Sequence, residues 1–163
     1  MTVIAIDGPA GAGKTTLAAQ FFQSYSVSQS ATVIHMDDLY SGWENALNLD
    51  LTRRLRDILR RYSLGEVFDI EIFNWTTMTF DGVQRIQPSD VLIIEGVGAA
   101  QKIVRDSGAT TYWLDIEPAV GLQRVLERDG LEIEVFMRQW QLDQELHFLS
   151  DKTRENAQHI QSS

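Results

Sequence analysis

Eight residues near the start of the chain, Gly8-Pro9-Ala10-Gly11-Ala12-Gly13-Lys14-Thr15, fit the pattern G-x-x-x-x-G-K-[S/T] at every position. No other stretch limits the fold so sharply, because such a loop works only between a buried strand and the first turn of a helix. Val3-Ile4-Ala5-Ile6 before it is apolar and β-branched, as a buried strand requires. Thr16 to Phe22 after it has the apolar spacing of a helix laid on a sheet. The glycines let successive backbone N–H groups turn inward around a polyphosphate, and the helix N-terminus adds a partial positive charge. The lysine adds a full charge, and the threonine hydroxyl can ligate magnesium. The expectation is a nucleoside triphosphate site on Gly8, Pro9, Ala10, Gly11, Ala12, Gly13, Lys14, Thr15 and Thr16. A dinucleotide loop fits less well: Thr16 stands where that loop carries Gly or Ala, and Lys14 fills a position that loop does not need.

The rest of the chain alternates strand and helix signals. Ala31 to Met36 reads as a second strand ending at Asp37-Asp38. Leu39 to Asn48, with Gly42 and two asparagines among aromatics, reads as a loop or short helical turn. Asp50 is the expected N-cap of a helix from about Leu51 to Tyr62, whose five arginines (53, 54, 56, 60, 61) form a solvated face. Val67 to Trp75 alternates like a strand, and Gly82 to Pro88 reads as a turn-rich approach to the core strand Val91-Leu92-Ile93-Ile94. A helical stretch over Ala99 to Arg105 precedes a strand over Thr110 to Leu114. A helix follows from Pro118 to Arg128, then an amphipathic helix from about Glu132 to Phe148, and a weak edge strand near Ala157 to Ile160. The expected fold is α/β: a P-loop NTPase fold with a parallel five-stranded sheet, its fifth strand weak, and helices on both faces. The expected organisation is one domain over residues 1–163.

Charge and composition narrow the partners. A net charge of −9 repels nucleic-acid backbones and anionic membranes, so neither is expected as a partner, and any anion site must be locally basic. The absence of cysteine removes disulfides, thiolate metal sites and cysteine nucleophiles. Neither a signal peptide nor a membrane span is expected, and the expected location is the cytoplasm. The pattern leaves oligomeric state open.

In a parallel sheet, the loops after strands one, two and three emerge on one edge. That places Asp37, Asp38 and Glu95 near a bound polyphosphate, a repulsive arrangement that magnesium relieves. Glu95, after four apolar residues, has the form of a Walker-B acid and joins Thr15 as a metal ligand. Asp37 is then available to orient an acceptor hydroxyl and take its proton. Arg124 and Arg128, four apart on one helical face before Asp129-Gly130, suit a flap that closes over the triphosphate and carries the developing charge.

These residues also carry a family resemblance. The loop Gly8 to Thr16, then Met36-Asp37-Asp38-Leu39-Tyr40, Ile94-Glu95-Gly96 and Arg124-x-x-x-Arg128-Asp129 resemble the uridine kinase and phosphoribulokinase group of P-loop kinases. The segment Asp37 to Trp43 is similar to a bacterial branch of small uridine-kinase-like proteins. The resemblance implies phosphoryl transfer from ATP to a small-molecule hydroxyl, with catalytic base Asp37 and an acceptor-contacting aromatic at Tyr40. Lys14, Arg124 and Arg128 complete the catalytic set, and the cofactors are ATP and Mg2+. ATP rather than GTP is expected, since the chain has no Asn-Lys-x-Asp tetrad.

One segment departs from the family. Where uridine kinases carry Tyr-Asp-Phe and a histidine three positions on, this chain has Phe73-Asn74-Trp75 and Met78. Acceptor contacts are expected from Asp38, Tyr40, Trp43, Phe73, Asn74 and Trp75, although these aromatics serve a core equally well. Uridine and cytidine are expected to be poor acceptors, and a less polar alcohol that stacks on Trp43 and Trp75 a better one. A kinase for a sugar, vitamin precursor or antibiotic, and a slow nucleotide-dependent switch, stay open as alternatives.

Overall fold

The computed structural model describes residues 1–162. Strands β1 (Thr2–Asp7), β2 (Ala31–His35), β5 (Val91–Glu95), β6 (Thr110–Asp115) and β7 (His159–Ser162) form one parallel sheet in the order β2-β5-β1-β6-β7. β5 is buried along its whole length, which is why Val91-Leu92-Ile93-Ile94 is continuously apolar rather than alternating. Two apolar layers sandwich the sheet. Ile4, Ile6, Val91 and Ile93 face α1 (Lys14–Tyr25), where Ala18 packs. Ala5, Ile34, Leu92 and Ile94 face the opposite layer, built from α2 (Leu49–Ser63), α4 (Pro118–Asp129) and α5 (Glu134–Asp151), with the one-turn helix α3 (Lys102–Arg105) beside them.

Several local expectations shift. Asn48, not Asp50, caps α2: its Oδ1 accepts from the amides of Asp50 (2.9 Å) and Leu51 (3.0 Å). The arginines of α2 pair along its surface, Arg53 with Asp50 and Arg60 with Asp57. Gly82 to Ile86 is not turn-rich but lies in strand β4 (Thr79–Ile86), antiparallel to β3 (Phe68–Asn74) in a separate two-stranded sheet. Gly82 misled the reading because glycine usually weakens a strand. Here it sits opposite Ile72, and an added Cβ would come within 3.1 Å of the Ile72 Cβ. The weak edge strand falls two residues later than its sequence signal, at His159–Ser162. No helix among the described residues is long and apolar enough to cross a membrane.

Register sets up the site. β1 Ile6 and β2 His35 both stand beside β5 Glu95, and β1 Asp7 beside β6 Trp113. The strand ends therefore gather Asp7, His35 and Glu95 along one sheet edge.

Candidate active site

The phosphate loop runs from Gly8 to Gly13 between β1 and α1. Its geometry demands glycine most clearly at Gly11, which adopts a φ of 81°. There a Cβ would fall 2.3 Å from the carbonyl oxygen of Gly121 on α4. Gly121 is equally constrained, since its own Cβ would meet the Ala10 oxygen at 2.6 Å. Helix α4 is therefore seated directly on the loop and does not stand off as the flap that the arginine spacing suggested.

Two groups that the sequence reading passed over brace the loop from beneath. The fully buried Asp7 carboxylate accepts from the amides of Gly8 (2.7 Å) and Gly98 (3.0 Å) through one oxygen and Ala100 (2.8 Å) through the other. It ties the phosphate loop to the segment after β5. Hydrogen bonds to a charged acceptor contribute about 1.5–3 kcal/mol each, so this brace offsets much of the cost of burial. Burial still raises the carboxyl above its ordinary range, against the lowering effect of the Ala100 and Gly8 amides and of Lys14. From α5, buried Gln144 accepts from the Ala10 amide at 3.0 Å. Asp7 was legible as an acid ending β1; Gln144 had no local signal.

Lys14 is buried, at 8% exposure, with its ammonium donating to the carbonyls of Gly8 (2.8 Å) and Pro9 (2.7 Å). Burial lowers its proton affinity, while Asp7, Glu95 and Asp37 act to raise it. The Thr15 hydroxyl donates to Glu95 Oε1 at 3.1 Å. The same oxygen lies 2.6 Å from His35 Nδ1, a contact created by the β2–β5 register and absent from the sequence reading. That hydrogen bond raises the His35 proton affinity, partly opposed by burial. A hydroxyl beside a carboxylate is an all-oxygen donor pair that suits magnesium. Among the described residues no group of three His, Cys, Asp or Glu side chains could close a metal cage, so a cation here would draw its other ligands from phosphate and water.

Asp37 follows β2 in a one-turn 3₁₀ helix and opens onto the same cleft. Crowding by protein, and next the charge of Glu95, push its carboxyl above the ordinary range, against Lys14 and Arg128. Solvent in the cleft reaches its side chain and screens part of that effect. Arg124 and Arg128 both line the cleft from α4. Arg124 Nη1 donates to the Gly11 carbonyl at 3.3 Å, while Arg128 holds Asp129 in a fork at 2.7 and 2.6 Å.

The cleft encloses about 510 Å³ and has two unlike halves. One carries Lys14, Thr15, Thr16, Glu95 and the arginines. The other is a wall of Tyr40, Trp43, Trp75, Ile133, Met137 and Trp140. Of the expected acceptor residues, the structure brings Tyr40, Trp43 and Trp75 to this wall and leaves Asp38, Phe73 and Asn74 out of the lining. Tyr40 is buried, its hydroxyl donating to the Val97 carbonyl at 2.7 Å. Phe73 packs edge-on against Trp75 and Phe80 inside the hairpin. Asn74 closes the hairpin turn, accepting from the Thr76 and Thr77 amides and donating to Asp81. Ile133, Met137 and Trp140 had no sequence signal, since their role depends on where α5 docks. A larger and more open depression of about 730 Å³ lies between Asn48, Gln101 and His147, away from the phosphate loop.

Comparison with known proteins agrees with this geometry. No family model matches the chain. A uridine kinase of Mycoplasma genitalium is 25% identical over 160 residues, spanning 85% of this chain and 73% of that protein. A structure from Bacillus stearothermophilus, described as a possible uridine kinase, superposes with a TM-score of 0.68 at 22% identity, covering 98% of this chain and 87% of the other. A shikimate kinase from Bacteroides thetaiotaomicron superposes with a TM-score of 0.51 at 19% identity, covering 99% and 85%. The five-stranded parallel sheet flanked by helices is a P-loop kinase fold, and in sequence and fold together the chain resembles the uridine-kinase-like P-loop kinases.

Proposed function

We propose that this chain is an ATP-dependent small-molecule kinase, with residues 1–163 working as one domain, that moves the γ-phosphoryl group onto an acceptor hydroxyl. The observation that carries the reading is the meeting, in one cleft, of the phosphate loop, the Thr15–Glu95 pair at 3.1 Å and the Asp37 carboxylate. Loop amides and Lys14 would hold the β and γ phosphates, Lys14 exchanging the carbonyls of Gly8 and Pro9 for phosphate oxygens. Thr15 and Glu95 would hold magnesium, which when bound neutralises charge on the β and γ oxygens. The acceptor oxygen forms its bond to the γ phosphorus as the bond from phosphorus to the β–γ bridging oxygen breaks. ADP leaves, and the hydroxyl proton passes to Asp37. Arg124 and Arg128 meet the charge on the migrating group, Arg128 by releasing Asp129.

Relatives of this fold are named for uridine and for shikimate, alcohols of different shape, so the acceptor has to be read from the cleft itself. Measuring ADP release from Mg-ATP with and without a mixture of alcohols tests the reading. Alcohol-dependent turnover with a phosphate monoester as product supports it. ATP turnover indifferent to every alcohol favours a nucleotide-dependent switch instead.

A further inference from the structure

The aromatic wall of the cleft has few polar groups to offer a ligand, the indole N–H groups of Trp43 and Trp140 among them. Its surface is Tyr40, Trp43, Trp75, Ile133, Met137 and Trp140. The Tyr40 hydroxyl is spent on the Val97 carbonyl, and the Trp75 indole N–H on the Asp37 carbonyl at 3.0 Å. A nucleoside base or sugar seated here would leave its own donors and acceptors without partners, at roughly tenfold or more in affinity for each such group.

The wall is also closely packed. Trp43 stacks on Phe136 at 5.5 Å with 18° between planes, and meets Trp75 edge-on at 4.9 Å and Trp140 at 6.2 Å. Tyr40 in turn packs edge-on against Trp140 at 5.0 Å. Rings locked against one another lose little entropy when a ligand arrives, and they favour a flat partner. The bond from Trp75 to the Asp37 backbone places this wall beside the carboxylate that would receive the proton. An aromatic wall also attracts cations, but three cations (Lys14, Arg124, Arg128) and three carboxylates (Asp37, Glu95, Asp129) share the cleft, so their charges give no net pull on a ligand of either sign.

We propose that the acceptor is a neutral alcohol whose body is a flat aromatic or conjugated ring, seated on the half-buried Trp43, Trp75 and Ile133, which the buried Tyr40, Met137 and Trp140 back, with its hydroxyl at Asp37. The assignment rests on the kinase reading above for its chemistry, and on the wall alone for its ligand class.

Two readouts keep those apart. Benzyl alcohol and 2-naphthalenemethanol serve as flat probes, cyclohexylmethanol as an apolar but puckered one, choline as a cation, and glycerol, ribose and uridine as polar alcohols. Each is tested for ADP release with Mg-ATP, and for change in tryptophan emission with a non-hydrolysable ATP analogue present. The flat alcohols should shift the emission and give kcat/KM about tenfold or more above every other probe, the scale on which one pocket contact discriminates. Trp43→Leu keeps the wall apolar but removes its main plane, and should bring the flat probes down to the level of cyclohexylmethanol while leaving KM for ATP unchanged. If that variant does not fold, Trp75→Leu serves through the emission readout, which should lose most of its response to the flat probes, because its turnover also loses the bond to the Asp37 carbonyl. Emission shifts from the flat probes without ADP release from any alcohol would support the ligand class and overturn the kinase reading. Uridine, ribose, glycerol, choline or cyclohexylmethanol matching the flat probes, or no emission change with the flat probes, would overturn the proposal.

Discussion

The two halves of the cleft are built by opposite means. The charged half is made mostly from consecutive residues, Gly8 to Thr16, with Glu95 from the end of β5 and Arg124 and Arg128 from α4. Its parts are placed by backbone geometry and by a buried carboxylate, Asp7, that three amides hold still. The aromatic half is gathered from Tyr40 and Trp43 after β2, Trp75 at the hairpin tip, and Ile133, Met137 and Trp140 at and beyond the start of α5. Its parts are placed mainly by packing on one another, with one hydrogen bond each from Tyr40 and Trp75 to the backbone. The difference fits what the proposed function asks of each half. Charge recognition depends on distances of about 3 Å and steep angular preferences, which a short continuous segment supplies best. An apolar seat needs area and shape, and any segment that reaches the place can contribute.

If the halves have separate jobs, changes to one should leave the other's job intact. The largest effect is expected at their junction. Asp37→Asn should lower kcat by roughly 10²–10⁴-fold with KM for ATP nearly unchanged. Wild-type activity should fall on acidification at a higher pH than an ordinary carboxylate would dictate, because the Asp37 carboxyl is raised from 3.8. The variant should lack that acid limb, and an unchanged kcat would remove Asp37 from the chemistry.

Trp140→Ala should cost about 3–5 kcal/mol of folding stability, the range for truncating a buried large aromatic. Below its melting temperature the variant should still bind ATP normally by equilibrium dialysis. A matching loss of ATP affinity would show that the halves are one unit. Lys14→Ala should do the reverse, with a rate loss of roughly 10²–10³-fold and weaker ATP binding. Since the ammonium also satisfies the carbonyls of Gly8 and Pro9, a lower melting temperature should accompany it, while the emission shift from an aromatic alcohol persists.

Glu95→Gln should raise the magnesium needed for half-maximal activity by about ten- to a hundredfold, a scale typical of weakened metal sites. Superimposable metal titrations would take Glu95 out of that role. The smallest effect is expected from pH. The Glu95 hydrogen bond raises the His35 pKa from 6.5, so its stabilising contribution is fully present below 6.5 and is lost as pH rises through the raised value. His35 is nearly half exposed, which limits the contribution to under about 1 kcal/mol. In metal-free buffer the melting temperature should therefore drift down slightly from pH 6.5 to 8, and His35→Gln should flatten that drift.

The same contrast explains what could be read from the chain beforehand. The phosphate loop, Glu95 at the end of a continuous apolar run, and Asp37 after a short strand each announce themselves locally, because backbone chemistry constrains neighbouring residues. The sheet was legible for the same reason. Phe73, Asn74 and Tyr40 were harder, because an aromatic beside a site has the same sequence signature whether it faces ligand or core. Gln144, Met137 and Trp140 were invisible, since nothing within α5 says which face meets the phosphate loop. Strand β4, and with it the pairing to the expected strand β3, was missed because the close approach of Gly82 to Ile72 is a tertiary fact that composition alone presents as a turn.

The contact between Gly11 and Gly121 has a consequence for how activity is lost. There is no room between loop and helix for a single methyl group, so the helix that carries Arg124 and Arg128 is seated on the phosphate loop by the fold itself. Under the proposed function, nucleotide affinity and charge stabilisation then share one mechanical fate. Moderate heat, or a distant substitution that lets α4 lift, should remove both in the same transition. Partial inactivation would accordingly appear as fewer working molecules rather than as slower ones.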